Sequence, residues 1–239
     1  MKRILPLMLL LAASSAEAAD DQARYAQCMS QVQSNPQAAL ATANLWKPGE
    51  GGIAAAHCQA AALVATKRYA EGAVKLDALA RARDIPDIGM RAEILSQAGN
   101  AWLLAGNPQS ADASFSSVLT LSPRDPDAFA DAARAKAAMK DWKGAQAHLT
   151  AALTLNPRRA DLLVLRASAR HALGQKVEAR ADLERALDLQ PGMADALVER
   201  GGMKREAGDV AGARADWEVA SRSPGEAADA ARKLLSALP

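Results

Sequence analysis

Prolines at Pro123, Pro157 and Pro191 recur every 34 residues, and Pro224 follows 33 later. Aligned on them, the chain falls into columns: Ala111, Ala145, Ala179 and Ala213; Phe115, Leu149, Leu183 and Trp217; Gly99, Ala133, Ala167 and Gly201; Leu95, Phe129, Leu163 and Leu197. No other property constrains the fold as strongly. A unit of this size cannot bury its own apolar face, so units repeated in tandem must stack on one another as a solenoid.

Each unit reads as helix, tight turn, helix. Between Ala160 and Met193, the residues Leu163, Ala167 and Leu173 share one helical face, and Leu183, Ala186, Leu187 and Leu189 share another. Gly174 separates them, in a column with Gly106, Lys140 and Gly208 that suits a helix end needing a left-handed residue. The next column, Asn107, Asp141, Gln175 and Asp209, supplies side chains to cap the following helix. The small residues Gly99, Ala133, Ala167 and Gly201 let paired helices approach closely, and the prolines end the second helix.

These columns resemble the tetratricopeptide repeat, with its large, small and aromatic positions in the first helix and Ala, Leu or aromatic, Ala and Pro in the second. The resemblance implies an all-α fold, a solenoid of stacked antiparallel helix pairs, with clear repeats at 92–125, 126–159, 160–193 and 194–224. Two worn copies precede them at 20–91. Gln22 to Gln33 pairs with a helix that Asn35-Pro36 starts and that runs to about Trp46. A hinge follows at Lys47–Gly52, then a second pair at Ile53–Thr66 and Tyr69–Arg83, with five extra residues before the first clear copy. Residues 225–239 form a C-terminal capping helix. Ser223-Pro224-Gly225-Glu226 reads as its capping box, and Ala227, Ala231, Leu234 and Leu238 as its apolar stripe. Such a helix covers the last apolar face of the stack, or docks on a partner.

The start of the chain is of another kind. Lys2 and Arg3 precede an apolar run from Ile4 to Ala13, and Ala16-Glu17-Ala18 offers a small-residue cleavage site. The run falls short of the ~20 apolar residues that span a bilayer. Residues 1–18 therefore read as a cleavable signal peptide rather than an anchor, and the mature chain as periplasmic or secreted and not embedded in a membrane. With 29 basic and 27 acidic residues the chain is close to neutral, which argues against nucleic acid as its partner.

The even count of two cysteines in an exported chain suggests a disulfide. In the register of the repeat family, Cys28 and Cys58 occupy columns that face each other across adjacent first helices. The alternative is two buried thiols. His57, His148 and His171 belong to no metal-ligand spacing, and no catalytic or phosphate-binding motif is present. The expectation is a protein with no metal or cofactor and no enzymatic activity. Arg166 with Asp182 and Arg200 with Asp216 recur at one offset, where the other copies carry Ala98 with Ser114 and Ala132 with His148. The co-occurrence points to an ion pair between paired helices, of little worth if exposed. A catalytic carboxylate is the competing reading.

By resemblance to the family, the first helices line a concave groove. Its columns here hold Glu93, Gln97, Asn100 and Leu104; then Asp131 and Arg134; then Val164, Leu165, Ser168 and His171; then Glu199 and Arg205. Leu104, Val164 and Leu165 suit apolar side chains of a bound peptide, and Arg134 with Asn100 its polar groups; a merely solvated wall is the competing reading. Two functions follow as expectations. One is a non-catalytic periplasmic scaffold that binds another envelope protein. The other is a chaperone or accessory subunit for secretion or polymer export that binds extended polypeptides.

Overall fold

A computed structural model describes residues 7–46, 51–83, 85 and 87–238, with residues 7–20 described by backbone alone. Among the described residues all regular structure is helical. The chain divides into two compact units, one through Pro123 and one from Arg124.

The first unit holds α1 (Leu7–Ser34), α2 (Pro36–Ala43), α3 (Gly52–Ala65), α4 (Tyr69–Ala80), α5 (Ile88–Leu104) and α6 (Pro108–Leu121), each packed on the next. The second holds α7 (Pro126–Ala138), α8 (Trp142–Leu155), α9 (Ala160–Ala172), α10 (Lys176–Leu189), α11 (Ala194–Glu206), α12 (Val210–Ala220) and α13 (Glu226–Ser236). Here too successive helices pack pairwise, and α11 also reaches α9 and α13. Both units are stacks of helical hairpins, as an α-solenoid requires.

The columns are the core. Ala111, Ala145, Ala179 and Ala213 are buried, as are Phe115, Leu149, Leu183 and Trp217. Gly106, Gly174 and Gly208 take positive φ, and so does Lys140, at 61°. Lys67, in the corresponding turn of the worn copy, does the same at 64°. The turn geometry thus persists where the glycine does not. Asn107, Asp141 and Asp209 each accept from a backbone amide three residues on. Gln175 makes no such bond; the short caps reach the amide from Cβ, whereas a glutamine carries its carbonyl one carbon too far.

Several boundaries differ from expectation. Residues 1–6 of the expected signal peptide lie outside the described residues, and α1 begins at Leu7, so Ala16-Glu17-Ala18 falls within a helix. Of the expected hinge, Lys47–Glu50 lies outside the described residues. Asn35 caps α2 through the Ala38 amide, but that helix ends at Ala43 rather than near Trp46. The capping box at Ser223 is not formed. Gly225 is the N-cap of α13 at φ 105°, which leaves Ser223 two residues too early to reach the first free amides. Ala228 and Ala231 are the buried residues of α13, and Leu234, Leu235 and Leu238 lie against the core beside them.

The extra residues before the first clear copy are largely helix. Asp87 accepts from the Gly89 and Met90 amides, and α5 starts at Ile88, one turn before the period begins at Ala92. The first residue of that period is preceded by Arg91, whose guanidinium donates to the Ala80, Ala82 (2.9 Å) and Ile85 (3.4 Å) carbonyls and ties the long connection down.

Candidate binding faces

In the first unit, α1, α3 and α5 are the first helices of successive hairpins, and a cavity of about 440 Å³ opens among them. Its walls are Tyr25 of α1, Ile53, Ala54 and His57 of α3, and Met90, Glu93, Ile94 and Gln97 of α5. Of the groove residues expected from sequence, Glu93 and Gln97 belong to it. Asn100 and Leu104 do not line it; both are exposed further along α5, with Asn100 donating to the Ser96 carbonyl at 3.0 Å. Met90 lies in the added turn of α5, and Tyr25 and His57 lie in the worn copies, so column alignment missed all three.

One chain of hydrogen bonds joins the polar walls. The Tyr25 hydroxyl lies 2.7 Å from His57 Nδ1, His57 Nε2 lies 2.8 Å from Gln97 Oε1, and Gln97 Nε2 donates to Glu93 Oε1 at 3.1 Å. Burial raises the Tyr25 phenol above its ordinary pKa, so it stays a donor. In the tautomer whose Nδ1 accepts from Tyr25 and whose Nε2 donates to Gln97, every link has one donor and one acceptor, and the chain runs from Tyr25 to Glu93.

Cys28 and Cys58 lie at disulfide distance, their Cα atoms 6.0 Å apart, and both are fully buried. They lie about one turn beyond Tyr25 and one residue beyond His57, so a bridge there holds α1 against α3 close to two residues of the cavity wall.

The second unit places its expected residues on three helices. On α7, Asp131 receives a hydrogen bond from Arg134. On α9, Val164 is buried in the core rather than lining a groove, because α8, α10 and α11 all close around that helix. Leu165 is half-buried and packs on the same core. Ser168 bonds back to the Val164 carbonyl at 3.2 Å. His171 Nε2 lies 2.9 Å from Glu206 of α11, and Lys176 lies 3.5 Å from the same carboxylate. The His171 hydrogen bond keeps Glu206 below the usual carboxylate range. Burial pushes Glu199 up, against the opposing pull of a hydrogen bond from Ser168. Arg205 stacks over the Trp217 ring, 5.3 Å from its centroid. The polar groups of this face are engaged either within their own helix, as at Asp131 and Arg134, or across neighbouring helices, as at His171 and Glu206.

The recurrent Arg/Asp pairs are not exposed: the aspartates are buried and the arginines half-buried. Arg166 grips Asp182 through two hydrogen bonds, 2.9 and 2.7 Å, and Arg170 adds a third at 2.7 Å. One repeat later, Arg200 grips Asp216 at 2.9 and 2.7 Å and Lys204 closes to 2.9 Å. Each carboxylate is spanned by two cations from the first helix of its own hairpin, an arrangement that locks the two helices together. In the copies without it, Ser114 donates to Asp77 at 3.0 Å and His148 packs at 5.9 Å from the Phe129 ring.

Hairpins stacked in register, turned by left-handed residues and faced by their first helices define an α-solenoid of the kind that presents binding surfaces. Its fold is that of the tetratricopeptide-repeat proteins. Among solved structures, the chain is similar to MamA from Desulfovibrio magneticus RS-1, at TM-score 0.61 and 22% identity over 71% of this chain and 93% of that one. It is similar to TTC0263, a thermophilic tetratricopeptide-repeat protein of Thermus thermophilus, at TM-score 0.61 and 19% identity over 77% of this chain and 97% of that one. No protein-family model matches the chain, and no curated protein sequence matches it.

Proposed function

We propose that the protein is a non-catalytic scaffold of the cell envelope, which recognises another polypeptide through the faces formed by its first helices. The observation that carries the reading is the cavity among α1, α3 and α5, where apolar walls and a few fixed polar groups converge on a space able to receive a ligand group. The basic and then apolar start of the chain supports cleavage of residues 1–18 and a periplasmic or secreted location. The Cys28–Cys58 pair fits such an oxidising compartment, where a bridge between them persists. No described helix is long and apolar enough to cross a membrane.

The test is an in-cell crosslinking pull-down from envelope extract with the tagged full-length gene product. The scaffold reading expects mature protein lacking its first residues by mass spectrometry, and one stoichiometric partner that is lost in Arg134→Glu or Leu104→Glu, both exposed positions. Weak capture of many unfolded chains, indifferent to those changes, would make the protein a chaperone instead. Full-length protein retained in the cytoplasm would refute the export assignment.

A further inference from the structure

The hydrogen-bond chain of the first unit restricts what its cavity takes. Tyr25, His57 and Gln97 satisfy one another, which leaves the second N–H of the Gln97 amide as their one uncommitted donor. The remaining walls, Ile53, Ala54, Met90 and Ile94, are apolar. An occupant that brought more than one polar group inside would leave polar atoms without partners, which disfavours it. The interior therefore selects an apolar body. At the rim the preference reverses. Glu93 is exposed, it receives only the neutral amide of Gln97, and no cation pairs with it among the described residues. A free carboxylate beside an apolar recess favours a cation, which its neighbourhood does not otherwise supply.

We propose, building on the scaffold reading, that this cavity is an anchor site for a polypeptide segment carrying a large apolar side chain next to a lysine or arginine. The apolar side chain fills the space among α1, α3 and α5, and the adjacent cation pairs with Glu93. A volume of about 440 Å³ lies within the ~300–1,000 Å³ range of ligand pockets and has room for one large side chain together with its neighbours.

Fluorescence anisotropy on the purified full chain tests this with labelled Gly/Ser peptides carrying Phe-Lys, Ala-Lys or Phe-Glu at their centre. Phe-Lys is expected to bind tighter than either control by about tenfold or more, since a single seated anchor carries much of such an interface. Ala54→Trp, which fills the cavity from a half-buried position, should abolish that preference while helix content by circular dichroism is kept. Glu93→Lys, at an exposed position, needs no such check and should turn the Lys-over-Glu preference around. Equal affinities for the three peptides, no binding of any, or preferences untouched by Glu93→Lys would overturn the assignment. So would a dimer in sedimentation that Ala54→Trp dissolves, or binding of phenethylamine without Phe-Lys, which would assign the cavity to a second copy or a small amine. If the envelope partner is captured equally by the wild-type chain and Ala54→Trp but lost in Arg134→Glu, the scaffold reading stands and the anchor site falls. If Phe-Lys selectivity holds and no envelope partner is captured, the anchor site stands and the scaffold reading falls.

Discussion

Gly201 and Gly202 are neighbours in α11, and the packing of that helix on α12 predicts that alanine at the two positions will act in opposite directions. In an open helix interior, Gly→Ala stabilises by about 0.5–1 kcal/mol, because alanine has less conformational entropy to lose. Gly202 is such a position: a Cβ there meets nothing within 4 Å. A Cβ on Gly201 stands 2.7 Å from Cδ1 and 2.9 Å from Cε2 of Trp217, inside van der Waals contact. Trp217 is fully buried and its indole donates to the Val198 carbonyl at 3.1 Å, so the ring cannot retreat without losing that bond. Overpacking of this kind costs about 1–3 kcal/mol. Set against the propensity gain, it leaves a net loss of up to about 2.5 kcal/mol for Gly201→Ala, and places it about 1–3 kcal/mol below Gly202→Ala. Urea unfolding of the two variants reads the difference directly, and Gly202→Ala should also melt about 1–4 °C higher. If Gly201→Ala proved as stable as Gly202→Ala, the close approach of α11 and α12 through the glycine column would be wrong.

Buried charges, left-handed turns and the cysteine pair set further outcomes. Asp182→Ala leaves Arg166 and Arg170 facing each other with little solvent, and should destabilise the chain by about 2–4 kcal/mol in denaturant titration, somewhat below a fully buried pair because the guanidiniums keep some water. Burial raises the Asp216 carboxyl, but hydrogen bonds from Arg200 and Lys204 outweigh it and leave the group below its ordinary value. Its contribution is then complete above the unfolded pKa of about 4 and is lost as pH falls through the lower folded value, so an Asp216→Asn chain should show a flatter loss of stability in acid. Lys140 holds a left-handed turn at φ 61°, and Lys140→Gly should stabilise by about 1 kcal/mol, where Gly174→Ala in the equivalent turn should cost about as much. Reduction of the Cys28–Cys58 bridge, which spans 30 residues of sequence, should lower the unfolding free energy by about 3 kcal/mol, measured with and without reductant.

Much of the fold was legible because packing in a repeat is local and recurs. The buried column of Ala111, Ala145, Ala179 and Ala213 and its partner of Phe115, Leu149, Leu183 and Trp217 declared themselves by period alone. Turn chemistry was equally readable at the glycines, but not at Lys140, which departs from the column's glycine and still adopts its left-handed conformation. The recurrence of Arg166 with Asp182 and Arg200 with Asp216 identified the partners, but not that each acid is buried or that Arg170 and Lys204 complete it; depth depends on neighbours that one hairpin does not contain. Val164 was misplaced for the same reason, since its helix face is decided by how α8, α10 and α11 close around α9. At Ser223 the motif was present and the geometry was not, because a capping box works only when the serine itself is the N-cap.

The cavity lay beyond column reasoning because it occurs where the period fails. A regular stack brings equivalent residues of successive first helices together and fills the space between them. Before α5 the chain departs from that rule: Asp87 starts the helix a turn early, and Arg91 pins the long connection to the end of α4. The added turn contributes Met90, and the worn copies contribute Tyr25 and His57, residues that no column demands. Bridged cysteines beside Tyr25 and His57 would compensate for the interhelical packing that the opening removes, which explains why the staple sits in the irregular repeats and the buried ion triads in the regular ones. Local departures from a consistent pattern mark places where stability has been exchanged for a binding surface. By that reasoning the anchor proposed among α1, α3 and α5 sits where the period fails.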